Sequence, residues 1–203
     1  MQTKPGQTLV EAIIAIAVIG VALLGFLSQS TYNFLASAKT IQRSLALNLA
    51  REGIEVVRHI RDSNWLKGCP DPDKENCFYW NTGLSDAEKY RAIPVFNVGE
   101  KKWELKFIVD SFDKCVNSKE CALYKLNGFL TADPSGELTD FFRQVEIKPL
   151  CENQDDCGGD GICESGDACE GKQIGLDVVS LVRWKEQENW GNVVLEDKLF
   201  NWR

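Results

Sequence analysis

The chain is poor in the residues that most often do chemistry in clefts. It has a single histidine, His59, among 203 residues. That excludes metal centres built on several imidazoles and leaves no Ser–His–Asp arrangement to assemble. Neither a GxGxxG fingerprint nor a phosphate-binding loop occurs, so the common nucleotide sites are not indicated. Net charge is −7, which makes nucleic acid a poor partner for the chain as a whole. These absences lead to the expectation that the protein is not an enzyme and requires no cofactor. Three further gaps are positional. Cysteine is missing from residues 1–62, proline from the stretch between Gln7 and Asn64, and charge of either sign from Ala12 to Leu27.

The cysteines that do occur are Cys69, Cys77, Cys115, Cys121, Cys151, Cys157, Cys163 and Cys169. An even count at short intervals indicates disulfides and an oxidising compartment for this part of the chain. Eight cysteines allow about 105 pairings. Proximity favours Cys69–Cys77 and Cys115–Cys121, with two bonds inside 151–169. Zinc is the weaker alternative, because there is no CxxC pair and His59 is remote. The stretch from Cys151 to Gly171 also holds seven acidic residues and no basic one. Stapled together, Asp155, Asp156, Asp160, Glu164 and Asp167 are a candidate Ca²⁺ site, since that ion takes about six to eight oxygens. EF-hand spacing is absent, and the alternative is a solvated loop held by disulfides.

The charge-free run, extended back to Thr8, gives roughly 30 Å of helix, one hydrocarbon core. Three readings compete for it. A secretory signal peptide would use Ala36-Ser37-Ala38 for cleavage, but the apolar run is long for one. A plain membrane anchor leaves Glu11 unexplained, because a carboxylate deep in a bilayer costs about 2.5–3.5 kcal/mol. The third reading is a filament subunit.

The stretch KPGQTLVEAIIAIAVIGVALLGF resembles the prepilin motif of type IV pilins and type II secretion pseudopilins. The resemblance implies a leader ending at Gly6, a mature and methylated N-terminus at Gln7, and Glu11 as the assembly glutamate. The family usually carries phenylalanine where Gln7 stands. In a filament, the Glu11 carboxylate would pair with the Gln7 amine of a neighbouring subunit, and that amine exists only after cleavage. The segment REGIEVVRHIRDSNW and the ending LVRWKEQENWGNVVLEDKLFNW also resemble minor pilins. The implied partners are other pilin subunits through the N-terminal helix, the prepilin peptidase, the membrane and a filament assembly platform. The implied location is the cytoplasmic membrane, single-pass, with an extracytoplasmic C-terminal domain. The reading from another class is a membrane-anchored binding module whose acidic loop takes Ca²⁺ or another ligand.

Beyond the membrane, Phe34, Ala38, Ile41, Leu45, Leu49, Val56 or Val57, and Ile60 form one stripe at helical spacing. This predicts a single helix from Gln7 to about Asp62, roughly 84 Å long, whose second half packs on its own globular domain. A Glu55–Arg58 pair is expected on it and His59 is expected at the surface. After residue 62 the pattern becomes that of strands: Tyr90–Phe96, Trp103–Phe112, a strand or hairpin in Ala122–Leu130, then Phe141–Ile147. Asp133-Pro134-Ser135-Gly136 is a turn signal. Ile174–Trp184 and Asn192–Phe200 read as a hairpin, with Gly191 in the connection and Trp184, Trp190 and Trp202 in the core. The expected fold is α+β and pilin-like. It has a leader at 1–6, a long helix at 7–62 with 7–27 in the membrane, and at 63–203 an antiparallel sheet with disulfide-stapled loops.

Overall fold

A computed structural model describes residues 5–68, 79–86, 89–152, 169, 172–186 and 189–201, with side chains from Leu9 onward. One long helix, α1 (Pro5–Lys67), precedes seven strands and a short helix: β1 (Arg91–Asn97), β2 (Lys102–Ile108), α2 (Phe112–Ser118), β3 (Ala122–Leu126), β4 (Phe129–Thr131), β5 (Glu137–Cys151), β6 (Gln173–Glu186) and β7 (Asn189–Phe200). The chain divides into two compact units, one ending at Arg43 and the other running from Ser44.

Among its described residues the first unit is helix alone. With no proline to break the ladder, Ala, Leu and Ile carry it through the apolar run. Where that run ends, polar side chains turn back onto the helix. Thr31 Oγ1 donates to the Leu27 carbonyl at 3.0 Å and Thr40 Oγ1 to that of Ala36 at 2.9 Å. Both bonds follow the i−4 pattern by which helical threonines satisfy their hydroxyls.

In the second unit, α1 continues to Lys67, five residues past the expected end. Gly68 stops it. Its φ of +60° is left-handed, and its N–H returns to the Asn64 carbonyl at 2.9 Å, the usual glycine C-cap. Asn64 is itself buried, and its side-chain amide donates to the carbonyls of Trp80 and Thr82 at 3.2 and 2.8 Å. This ties the following loop to the helix end.

The sheet is antiparallel throughout and built around β5. Along one edge β5 pairs with β6, which pairs with β7. Its other edge is shared: β3 with β4 beyond it takes the N-terminal half, and β1 with β2 beyond it takes the C-terminal half. Directly opposed residues share a face, so Val145 with Ser180, Ile147 with Val178 and Arg143 with Val182 point the same way. Residues 46–57 of α1 lie on that face. Ile54 and Val57 pack with Val145, Ile147, Leu176, Val178 and Leu199, while Ala46, Leu49 and Ala50 pack with Leu123, Val182 and Trp184. Each fully buried Leu, Ile or Val contributes about 1.5–3 kcal/mol. The opposite face is covered by α2, with Phe142, Ile93 and Ile108 around the buried disulfide Cys115–Cys121.

Several expectations need correction. Trp103–Phe112 is not one strand. β2 stops at Ile108, and Phe112 opens α2, which the sequence reading missed. Gly191 belongs to β7, not to the connection before it. A Cβ there would lie 2.3 Å from the Trp184 ring, so the glycine is where that indole crosses the neighbouring strand. Trp184 is in the core as expected, but Trp190 is half exposed and meets Phe142 edge-on at 5.8 Å. Ala122–Leu130 is a hairpin turned by Asn127-Gly128, both at positive φ, as a two-residue connection requires. Of the stripe along α1, Phe34 and Ile41 are exposed and burial begins at Ala46. The Glu55–Arg58 pair forms, and His59 is exposed. Cys69, Cys77, Cys157, Cys163 and Trp202 lie outside the described residues.

Candidate functional site

Leu9 to Leu27 is exposed along its whole length, with Val21 73% and Phe26 72% accessible. It contains the stretch of α1 that is long and apolar enough to cross a membrane. Glu11 sits at its head, helical and exposed. The backbone of Gly6 and Gln7 forms the first turn of α1, where amide N–H groups have no intrahelical acceptor; their side chains lie outside the described residues. Four residues along an α-helix is about 6 Å of rise and almost one full turn. Residues 7 and 11 therefore lie on nearly the same side of the helix, about one turn apart.

The acidic loop is reached only at its base. A Cys151–Cys169 disulfide joins its two ends, and the Glu152 N–H donates to the Lys172 carbonyl at 3.0 Å beneath it. Asp155, Asp156, Asp160, Glu164 and Asp167 lie outside the described residues. Among the described residues no group of three His, Cys, Asp or Glu side chains is placed to hold a metal.

A feature that sequence reasoning missed lies on the second unit. The ends of two hairpins, β1–β2 and β3–β4, flank a groove of about 770 Å³ beside residues 45–52 of α1. Its walls are apolar: Leu45, Phe96, Val98, Trp103, Phe129 and Leu130. Phe96 and Trp103 face each other across β1 and β2, ring centroids 5.3 Å apart. Its two ionisable members, Glu52 and Asp133, are both acidic. Glu52 meets Arg143 at 3.1 Å, and that guanidinium, 1% exposed, also donates to the Leu49 carbonyl at 3.3 Å. Asp133 holds the turn after β4. The N–H of Ser135 donates to its carboxylate at 2.9 Å, and that bond sets its pKa below the ordinary aspartate value. The signal for the groove was in the sequence, in the aromatic residues flanking two turns, Asn97–Lys102 and Asn127-Gly128.

Two charged clusters are structural. Lys102 bridges Glu100 and Glu104 across the β1–β2 turn, and its hydrogen bond lowers the Glu104 pKa. Arg58 joins Glu55 to Asp197 of β7. Burial works against its charge, and the two carboxylates outweigh that, so its pKa is raised.

Compared with family models, curated proteins and solved structures, the chain matches none of them.

Proposed function

We propose that the chain is the precursor of a structural subunit, of minor pilin or pseudopilin type, in a filament of the type IV pilus kind. The observation that carries this reading is a continuous helix, Pro5–Lys67, that displays an exposed uncharged apolar stretch with one carboxylate at its head. Such a stretch is not stable in water, and a bilayer or a bundle of like helices covers it. A carboxylate in either setting is tolerated when paired and costly when not. The partner is the amine freed at Gln7 by a prepilin peptidase cutting after Gly6. The subunit waits in the cytoplasmic membrane and enters the filament through its helix, at an assembly platform. The disulfides Cys115–Cys121 and Cys151–Cys169 favour an extracytoplasmic second unit.

Mass spectrometry of the mature chain tests this. The expected N-terminus is Gln7, and a chain beginning at Met1 or Lys39 would overturn the reading. A Glu11→Ala subunit is expected to insert into the membrane yet enter filaments poorly. Normal incorporation would remove the role given to Glu11.

One observation favours a second reading, a membrane-anchored module that binds Ca²⁺. The Cys151–Cys169 bond closes the ends of the acidic stretch on each other. Calorimetry of the full chain in detergent should then give binding heat at millimolar Ca²⁺, and its absence would leave the loop a stapled surface feature.

A further inference from the structure

The last strand leaves one edge of the sheet without a neighbour. Among the described residues β7 pairs with β6 alone. The Asn201 N–H donates to the Ile174 carbonyl at 2.7 Å, and the β6–β7 register runs back from there without a shift. In an antiparallel ladder the backbone turns its groups to the partner at every second residue. Leu195, Asp197 and Leu199 therefore bond β6, while Val194, Glu196, Lys198 and Phe200 turn their N–H and C=O groups outward. Such an edge is a template for another strand. Two of its outward groups are already taken. The Lys198 N–H donates to Asp197 Oδ1 at 2.9 Å, and Arg61 Nη1 donates to the Phe200 carbonyl at 3.4 Å. The other Asp197 oxygen is held by Arg58.

The edge segment is also complementary to itself. Asp197 lies opposite Val178, which packs with α1, so Leu195, Asp197 and Leu199 share that face and Val194, Glu196, Lys198 and Phe200 share the other. Val194 is 52% and Phe200 46% exposed. For two copies of β7 laid antiparallel, outward groups must meet outward groups, which leaves alternate registers only. One of these sets Glu196 against the Glu196 of the other copy, and another sets Lys198 against Lys198. The register between them pairs Glu196 with Lys198, Val194 with Phe200, and Leu195 with Leu199, each of them twice. At its centre Asp197 meets its own copy, and like charges directly opposed are destabilising. We propose that Asp197, held in place by Arg58, is a guard residue that keeps β7 from pairing with the β7 of a second copy. It blocks the register that its neighbours favour, by its charge at the centre and by occupying the Lys198 N–H. An inward-turned charge is one of the means by which edge strands are protected. The inference does not rest on the filament reading.

The test is photo-crosslinking of the full chain in detergent, with benzoylphenylalanine at position 194, an exposed site. Copies labelled with ¹⁵N are mixed with unlabelled ones, and the product read is the one on the peptide that contains Phe200. Within one strand those two positions are about 20 Å apart, so the product reports pairing between copies. The wild-type chain is expected to give little of it. Asp197→Val should raise the mixed-isotope yield about tenfold, because it removes the opposed charges and frees the Lys198 N–H. Asp197→Asn, which keeps an oxygen for that N–H, should raise it less. Equal yields in all three chains would overturn the proposal. In the Asp197→Val background, adding Lys198→Glu should return the yield to the wild-type level, and adding Glu196→Lys to that pair should restore it. A misfolded chain is indifferent to the order of these two charges, so the rescue separates strand pairing from aggregation. Failure of the rescue would overturn the register and with it the role of Asp197 at its centre.

Discussion

At Gly53 the helix lies close against the sheet, and this sets a prediction whose sign depends on one neighbour. A Cβ on Gly53 would lie 2.5 Å from Ser180 Oγ and 3.1 Å from a Val145 methyl, but 3.4 Å from Ser180 Cβ. Two effects oppose each other in Gly53→Ala. Helix propensity favours alanine by about 1 kcal/mol. Overpacking a closed site costs about 1–3 kcal/mol, and Ser180, fully buried, has little room to yield. The net expectation is a loss of about 1 kcal/mol. In a Ser180→Ala background the 2.5 Å contact is gone, leaving the methyl at 3.1 Å and an ordinary contact with the Cβ of residue 180 at 3.4 Å. Ser180 Oγ has no hydrogen-bond partner among the described residues, so its removal costs little. There Gly53→Ala should become neutral or stabilising, giving a coupling of about 1–2 kcal/mol in the double-mutant cycle. Thermal unfolding of the detergent-solubilised chain, read by tryptophan fluorescence, resolves this, since 1 kcal/mol moves a unit of this size by about 2–4 °C. Equal losses in both backgrounds would refute the claim that Ser180 Oγ limits the helix–sheet distance.

Arg143 and Glu52 give a second cycle. Glu52→Ala strands a buried guanidinium and should cost about 1–3 kcal/mol, less than a fully enclosed pair because the Glu52 side chain is 37% exposed. Adding Arg143→Met should recover most of that loss in chemical denaturation, and a further loss would mean the arginine is held by more than its Glu52 and Leu49 contacts. The Asp133 turn supplies a pH prediction. Its folded pKa lies below the unfolded value because the Ser135 N–H bonds the charged form. Its contribution is therefore present above the ordinary aspartate value near 3.9 and fades as pH falls through the folded pKa. Carbon-detected NMR should place that carboxyl below its ordinary value in the wild type and near it when Ser135 is replaced by proline, which has no N–H.

What the sequence made legible was what periodicity and punctuation encode. The unbroken helix followed from missing prolines. The last hairpin followed from the paired runs Ile174–Trp184 and Asn192–Phe200, and Cys115–Cys121 followed from proximity, whereas Ala122–Leu130 leaves strand and hairpin open, and it is the structure that turns it at Asn127-Gly128. The errors have physical causes. The apolar stripe thins near Asp62, which points to a helix end there, although Gly68 is the actual stop. α2 escaped because seven residues hold too little periodicity to separate from the end of a strand. Gly191 read as a connection because glycine usually punctuates, whereas here it makes room for Trp184 on the adjacent strand, a pairing no local pattern reveals. The groove was legible only in its parts: aromatic residues flank the two turns, but its walls come from residues near 45, 96 and 129, which only the sheet brings together.

The order in which the parts are made has a consequence for the birth of the molecule. Apart from Leu84 and Leu123, the buried cover for α1 residues 46–57 comes from β5, β6 and β7, residues 141–199, nearly the last to be synthesised. Contacts so distant in sequence form slowly, because the intervening chain must close first. A nascent chain therefore carries an uncovered helix face for almost the whole of its synthesis. Loss of even the final strand leaves that face without Leu195 and Leu199 and open to aggregation. The last hairpin acts as the clasp of the fold, and a chain interrupted before it is material for quality-control proteases.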